Sequence, residues 1–248
     1  MDAVRAILRN DADETRLVRE FFGGTSGYFV DVGAHEPEKW SQTFHLEERG
    51  WSGILIEPQP ALADRLRQQR TAKVYAVACS SPANAGKSMI LNLAGGHSSL
   101  DPDYFVPHMR RERAIEVPVR TLDDILNEAK APAPVDFVSI DVESHEVEVL
   151  DGLDLAYWRP RLLLVEDHVL NLRLHRYLVS RNYKWVRRTA QNAWYVPAAS
   201  PMRVDLFGRL QFIRKYFLGL PFRRVREALR RIRTRRSERQ RAGSDTSG

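Results

Sequence analysis

Short apolar, β-branched runs alternate along the chain with amphipathic stretches, and this succession predicts strands alternating with helices in a parallel α/β sheet. The runs predict strands at Tyr28 to Val32, Gly53 to Ile56, Ala72 to Ala78, Val135 to Ile140 and Arg161 to Glu166. Between them, helical spacing fits Thr15 to Phe22, Trp40 to Arg49, Ala61 to Gln69, Thr121 to Ala129 and His145 to Leu150. Beyond the fifth strand, Leu170 to Ser180 reads as a helix. The β-rich runs Tyr183 to Arg188 and Ala193 to Val196 then flank the polar turn Thr189 to Asn192, and so short a link forces antiparallel pairing. The predicted fold is therefore a doubly wound, mostly parallel sheet ending in an antiparallel hairpin, with ligands expected beyond the carboxyl ends of its strands.

One stretch breaks the alternation. Lys87 to Leu93 and Ala114 to Val119 are strand-like pieces around a loop that begins Gly95-Gly96-His97-Ser98-Ser99, which predicts a small sheet extension or a lid beside the site.

Composition agrees with a globular body, at 43% hydrophobic and 28% charged residues. The single cysteine, Cys79, excludes an intramolecular disulfide and a cysteine-built zinc cage, so any metal must use oxygen or imidazole ligands. Met1 to Glu20 has no apolar signal region, and no window is apolar enough to span a bilayer, so a cytoplasmic protein is expected, at most peripheral on the inner face of a membrane. The net charge of +6 is misleading until it is located: residues 203 to 241 hold 14 Arg or Lys against three acids, and the chain before them is mildly acidic. That division predicts a principal domain over residues 1–200 and a basic extension over 201–248.

Chemistry gathers at the strand ends. The first strand runs into FVDVGAHEP, where Asp31 and Gly33 allow a carboxylate and a close backbone approach to a ligand, although a phosphate-cradling GxGxxG is absent. The second ends GILIEP, placing Glu57 where a carboxylate can hold two ribose hydroxyls. The fourth strand adds Asp141 and Glu143, and the fifth adds Glu166, Asp167 and His168.

With the run DVGAHEPEKWSQTFHLEERGWSGILIEPQP, then SIDVESHEVEVLDG and LLLVEDH, the chain resembles the FkbM-type S-adenosylmethionine-dependent methyltransferases from about Gly27 to about Pro197. The resemblance implies a Rossmann-like class I methyltransferase fold with seven strands, and methyl transfer to a hydroxyl of a glycan, glycolipid or natural product. It further implies S-adenosylmethionine contacts from Asp31, Gly33, Ala34, His35, Ser41, Thr43, Glu57, Pro58, Ala78, Ser98 and Asp141. Gln42 stands where the family commonly has Asn, and Ser144 where a glycine usually follows the Asp-x-Glu. An N- or carboxyl-methyltransferase on the same fold, or a silent adenosine-binding or interaction module, are the competing readings.

An acceptor hydroxyl needs a general base or a metal. His168, with Asp141 and Glu166, is the catalytic candidate; His168 could instead hydrogen-bond the following helix. Asp141, Glu143, Asp167 and His168 are candidate ligands of a divalent cation such as Mg²⁺. His35 and His145 also fit packing or capping roles. In the extension, Leu206, Leu210, Ile213 and Phe217 share one helical face, and Phe222, Val225, Leu229 and Ile232 share another beyond an expected break at Gly219-Leu220-Pro221. Such faces suit an anionic membrane surface, docking on the body, or a homo-oligomer; nucleic acid is disfavoured for want of a reading motif. Arg241 to Gly248 is expected to be disordered.

Overall fold

The computed structural model describes residues 14–102, 113–226 and 228–229. Ile232 and the expected disorder of Arg241 to Gly248 lie outside them. The strands, in chain order, are β1 (Tyr28–Val32), β2 (Ser52–Ile56), β3 (Lys73–Tyr75), β4 (Ala78–Cys79) and β5 (Ser88–Leu93), then β6 (Arg113–Arg120), β7 (Phe137–Ile140), β8 (Leu162–Glu166), β9 (Tyr183–Thr189) and β10 (Asn192–Pro197). The helices are α1 (Glu14–Phe22), α2 (Phe44–Glu47), α3 (Pro60–Gln69), α4 (Leu122–Ala129), α5 (Glu146–Asp151), α6 (Leu155–Trp158), α7 (Arg173–Ser180) and α8 (Leu206–Phe212).

Seven strands form the main sheet in the order β3-β2-β1-β7-β8-β10-β9, and within it only β10 runs against its neighbours. The expected fold class is therefore present. Every residue of β7 and β8 is buried, as central parallel strands covered on both faces require. The period-2 alternation sends Val30, Val32, Ile54, Ile56, Val138 and Ile140 into the core under α4, α5 and α7. Phe29, Leu55, Phe137 and Leu164 pack on the opposite face with Val18 and Phe22 of α1, Leu46 and Leu66. From β1 the chain steps outward to β2 and β3 and later returns on the other side of β1 as β7. The carboxyl ends of β1 and β7 thus flank the crevice where such sheets bind ligands. Gly33 sits there at φ +87°, and a Cβ on it would come 1.9 Å from the Asp141 carbonyl oxygen, so both the backbone angle and the space demand glycine.

Three expectations are corrected. The predicted third strand divides: Tyr75 accepts from the Glu57 amide at the end of β2, which then offers no further partner, and Ala78–Cys79 cross to pair with β6 in a separate sheet ordered β4-β6-β5. The helix expected from Trp40 is only the turn α2, because Trp40 is left-handed at φ +65° and the Ser41 hydroxyl accepts from the Thr43 and Phe44 amides, starting the helix later. The tail does not break at Gly219-Leu220-Pro221: α8 runs through a π turn at Ile213–Leu218 and stays helical to residue 226. Pro221 has no N–H to give and its ring crowds the preceding turn, and the widened π turn relieves that conflict.

This tail helix lies on the sheet's last strand with a face the apolar spacing did not indicate. Gln211 donates to the Arg188 carbonyl and accepts from the Arg188 amide, each at 3.0 Å, satisfying the edge of β9. Phe212 stacks on Tyr216 at 4.5 Å and lies 5.1 Å from Trp185, and the buried Tyr216 hydroxyl donates to Asp167 Oδ2 at 2.6 Å. Leu206, Leu210, Ile213 and Phe217 face outward instead. Tyr216→Ala should cost about 3–5 kcal/mol by leaving a cavity and an unmatched buried carboxylate, read as a lower urea midpoint.

Candidate functional site

A narrow cleft of about 60 Å³ opens at the carboxyl ends of β1, β2 and β7, lined by Gly33, His35, Glu57, Pro58, Ala78, Ser98 and Asp141 among the predicted cofactor residues. Glu57 is fixed by backbone donors: His35 N reaches Oε2 at 3.0 Å and Gln59 N reaches Oε1 at 2.9 Å. Burial pushes its carboxyl up to about 7, against those two hydrogen bonds and with some help from the charge of Asp31. Cys79 also lines the cleft, and burial pushes its thiol up to about 12, so it is a small neutral wall residue.

The insertion supplies the remaining wall through Gly95, Gly96, Ser98 and Leu100. It is latched to the loop after β7. Ser99 Oγ donates to the Glu143 carbonyl at 2.5 Å, and His97 Nδ1 lies 2.5 Å from Glu143 Oε1. Gln59 Nε2 reaches Ser98 Oγ at 3.5 Å.

Asp31, Ala34, Ser41 and Thr43 stand outside this lining. Alternation along β1 puts Asp31 on the face of Phe29, towards α2 and α3, where it accepts from Thr43 Oγ1 at 2.7 Å. Arg70, its side chain fully buried, donates to Thr43 Oγ1 and Ser41 Oγ, each at 3.2 Å, and to Glu47 Oε2 at 2.7 Å. Burial raises the Asp31 carboxyl, while Thr43 and Arg70 act in the other direction. Ala34 is buried, its amide given to the Ile56 carbonyl. These residues brace the β1 loop from beneath.

A second assembly joins the ends of β7 and β8. His168 Nε2 lies 3.4 Å from Glu143 Oε2 and 3.5 Å from Glu166 Oε2. Glu143, Glu166 and His168 each offer one atom, all within 4.8 Å of one another, a grouping that could hold a metal ion among the described residues. Burial raises the Glu166 carboxyl far above its ordinary range, and the charges of Asp141, Glu143 and Glu146 raise it further, which favours the neutral form that can hydrogen-bond Asp141. The charge of Glu143 holds Asp141, which reaches solvent, above its ordinary value, and desolvation of the half-buried Glu146 pushes its carboxyl up to about 7. Burial opposes a charge on His168, but its bond to Glu143 and the surrounding carboxylates outweigh that and hold it above its ordinary value.

Asp167, expected among the cation ligands, is corrected: Oδ1 accepts from Val169 N at 2.7 Å and Oδ2 from Tyr216, so its carboxylate serves the tail helix. His145 is buried against Ser80, 2.9 Å from its hydroxyl. Glu143 and Ser144 are left-handed at φ +54° and +78°, as is the β-branched Val169 at +52°, a concentration of backbone strain around the cluster. Ser144 thus holds a conformation that glycine would take without cost.

Beyond the cluster lies a larger cavity of about 450 Å³, lined by Ser144, Glu146, Glu166, His168, Asn171, Arg173 and Arg224 among others. Asp141 and Glu143 face the narrow cleft, while Glu166 and His168 face this cavity, so the cluster forms the wall between them. Sequence reasoning missed Arg70, His97 and Glu146 as parts of these assemblies. All three meet their partners only through space, at sequence separations of 23 to 46 residues for Arg70 and His97.

A sequence model described as the methyltransferase FkbM domain matches residues 31–185. No curated protein matches the chain. Among solved structures, the methyltransferase FkbM from Methylobacillus flagellatus KT is similar at 17% identity and a TM-score of 0.45, over 69% of this chain and 43% of that one. The N-terminal domain of human METTL16, solved in complex with SAH, is similar at 13% identity and a TM-score of 0.40, over 73% of this chain and 66% of that one. The chain therefore spans less than half the length of the Methylobacillus protein.

Arg70→Met should cost about 3–5 kcal/mol, because Glu47 and Asp31 would stay buried without their cation, and a urea titration would register the loss.

Proposed function

The chain belongs to the FkbM methyltransferase family, and from that premise we propose that its cleft takes S-adenosylmethionine and that it methylates a hydroxyl of a glycan, glycolipid or natural-product acceptor. The observation that carries this reading is the shared wall: one cluster of acids and imidazole touches two cavities, one suited to each reactant.

The donor set of the cleft suits the cofactor. Glu57 offers carboxylate oxygens to a ribose diol, Val77, Leu91 and Leu100 offer apolar walls, and Asp141 and Glu143 offer negative charge to a cationic ligand. Gly95, Gly96, Ser98 and Leu100 of the insertion wall the cleft and would lie over a cofactor held by Glu57. When bound, S-adenosylmethionine supplies an electrophilic methyl group on a sulfonium.

The chain's own residues then have to orient the acceptor and take its proton. His168, open to the larger cavity, receives the proton of an acceptor hydroxyl at Nδ1, the ring nitrogen not engaged by Glu143, and Glu143 at Nε2 stabilises the imidazolium that results. Glu166, neutral, holds Asp141 in place. A second reading has one observation in its favour: Glu166 Oε2 is buried and accepts no hydrogen bond among the described residues, and it faces Glu143 and His168. A divalent cation there would take two carboxylates and an imidazole.

Calorimetry with S-adenosylmethionine should give binding that Glu57→Gln weakens about tenfold or more; absence of binding by the parent protein would refute the cofactor assignment. Against a panel of hydroxyl acceptors, His168→Ala should lower methyl transfer about 10²–10⁴-fold with cofactor affinity unchanged. Loss of transfer on metal stripping, restored by Mg²⁺ or Mn²⁺, would select the cation reading instead.

Glu57 also predicts a pH dependence. Its folded value lies above the ordinary 4.5, so ionising it costs the empty protein stability as pH rises from about 4.5 to about 7. A ribose diol donates to the ionised form, so cofactor affinity should climb through the same window, approaching tenfold per pH unit at its acid end, and level off above about pH 7. Glu57→Gln should flatten that component of the profile.

A further inference from the structure

The tail helix carries an apolar stripe on the side turned away from the body. Leu206, Leu210, Ile213, Phe217, Phe222 and Val225 are each between 48% and 78% exposed. They form one stripe because of the π turn. Measured from Leu210, an unbroken α-helix would carry Phe222 about 120° round, and the extra residue of the π turn brings it back to within about 20°. Contiguous exposed hydrocarbon of this kind marks a binding surface.

The body cannot cover this stripe by rotation of the helix, because the inner face is already engaged. Gln211 is clamped to the backbone of Arg188, Tyr216 to Asp167, and the Arg223 guanidinium donates to the Val169 carbonyl at 3.0 Å. Charge selects the partner. Residues 203–226 contain seven Arg or Lys and one acid, Asp205, whose carboxylate is occupied in capping the helix at the Gly208 amide. Two copies of such a helix would bring like charges together, and a nucleic acid would leave the leucine and phenylalanine side chains in water. A bilayer surface bearing anionic headgroups satisfies both the stripe and its basic flanks.

We propose that the helix from Leu206 onward docks this protein on an anionic lipid surface, its apolar stripe lying in the headgroup region. No helix among the described residues is long and apolar enough to cross a membrane, so the attachment is interfacial. Arg224 of the same helix and Ala228 line the larger cavity. Docking would therefore bring that cavity to the lipid, favouring a lipid-linked acceptor; this last step rests on the acceptor reading above, whereas the docking itself does not.

The protein of residues 1–248 would be sedimented with vesicles of phosphatidylcholine alone and with equimolar phosphatidylcholine and phosphatidylglycerol. Partitioning onto the anionic vesicles should be at least about tenfold stronger and should fall as salt is raised. The double variant Leu210→Asp with Phe217→Asp should abolish it while thermal midpoint and S-adenosylmethionine affinity stay those of the parent. Equal partitioning of parent and variant would overturn the proposal, as would absence of binding to either vesicle. A parent dimer that the variant converts to monomer, without vesicle binding, would assign the stripe to a second copy. A variant with a lowered thermal midpoint and no vesicle binding by the parent would assign it to the chain itself.

Discussion

Buried negative charge is the constraint around which this molecule is organised. Asp141, Glu143, Glu146 and Glu166 converge at the ends of β7 and β8, with Glu143 and Glu166 buried, Glu146 half-buried and Asp141 reaching solvent, and carboxylates so close cannot all ionise. The structure resolves the conflict in three ways: Glu166 keeps its proton and shares it with Asp141, His168 and His97 approach Glu143 from two sides, and Glu146 spends part of its charge on the Ser144 amide at 2.9 Å. Each solution needs a particular backbone path. The left-handed Glu143 and Ser144 and the close packing of Gly33 on Asp141 place these carboxylates where they meet.

The same loops that carry the charge are held from outside the sheet. Asp167 and Val169, on either side of His168, are tied to Tyr216 and Arg223 of the tail helix, and Arg224 donates to the Leu170 carbonyl at 3.1 Å. His168 therefore owes its position to a segment that composition alone would set aside as a basic appendage. From the other direction, the insertion reaches Glu143 through Ser99 and His97, so the small sheet that carries the insertion and the tail helix meet at the same carboxylates.

What could be read in the sequence divides along a physical line. The β7 and β8 runs declare themselves because strands buried on both faces are continuously apolar, and Glu57 and Asp141 declare themselves because a carboxylate ending such a run has no packing role. Contacts made only through space were not legible: nothing local in Arg70 announces Glu47 and Thr43, nor anything in His97 its carboxylate partner. The tail helix was misread for a different reason. Its spacing was correct, but apolar periodicity identifies the face that avoids water, and the helix uses a face built from Gly208, Gln211 and Tyr216 to bind the body by hydrogen bonds and ring stacking.

That inversion bears on how the site works as a unit. An ordinary surface helix spends its apolar face on the core, and whatever it meets outside is polar and readily exchanged. Here the inner contacts are directional, to a strand edge and to the residues flanking His168, so the helix is fixed in orientation by the groups it positions. Any partner taking the outer stripe adds its binding energy to a helix whose inner face already specifies the loop from Asp167 to Leu170. Occupancy outside and order at His168 would be linked only through a second state in which these inner bonds are broken, and any such linkage would be reciprocal: a ligand that orders the loop would strengthen the outer contact to the same degree.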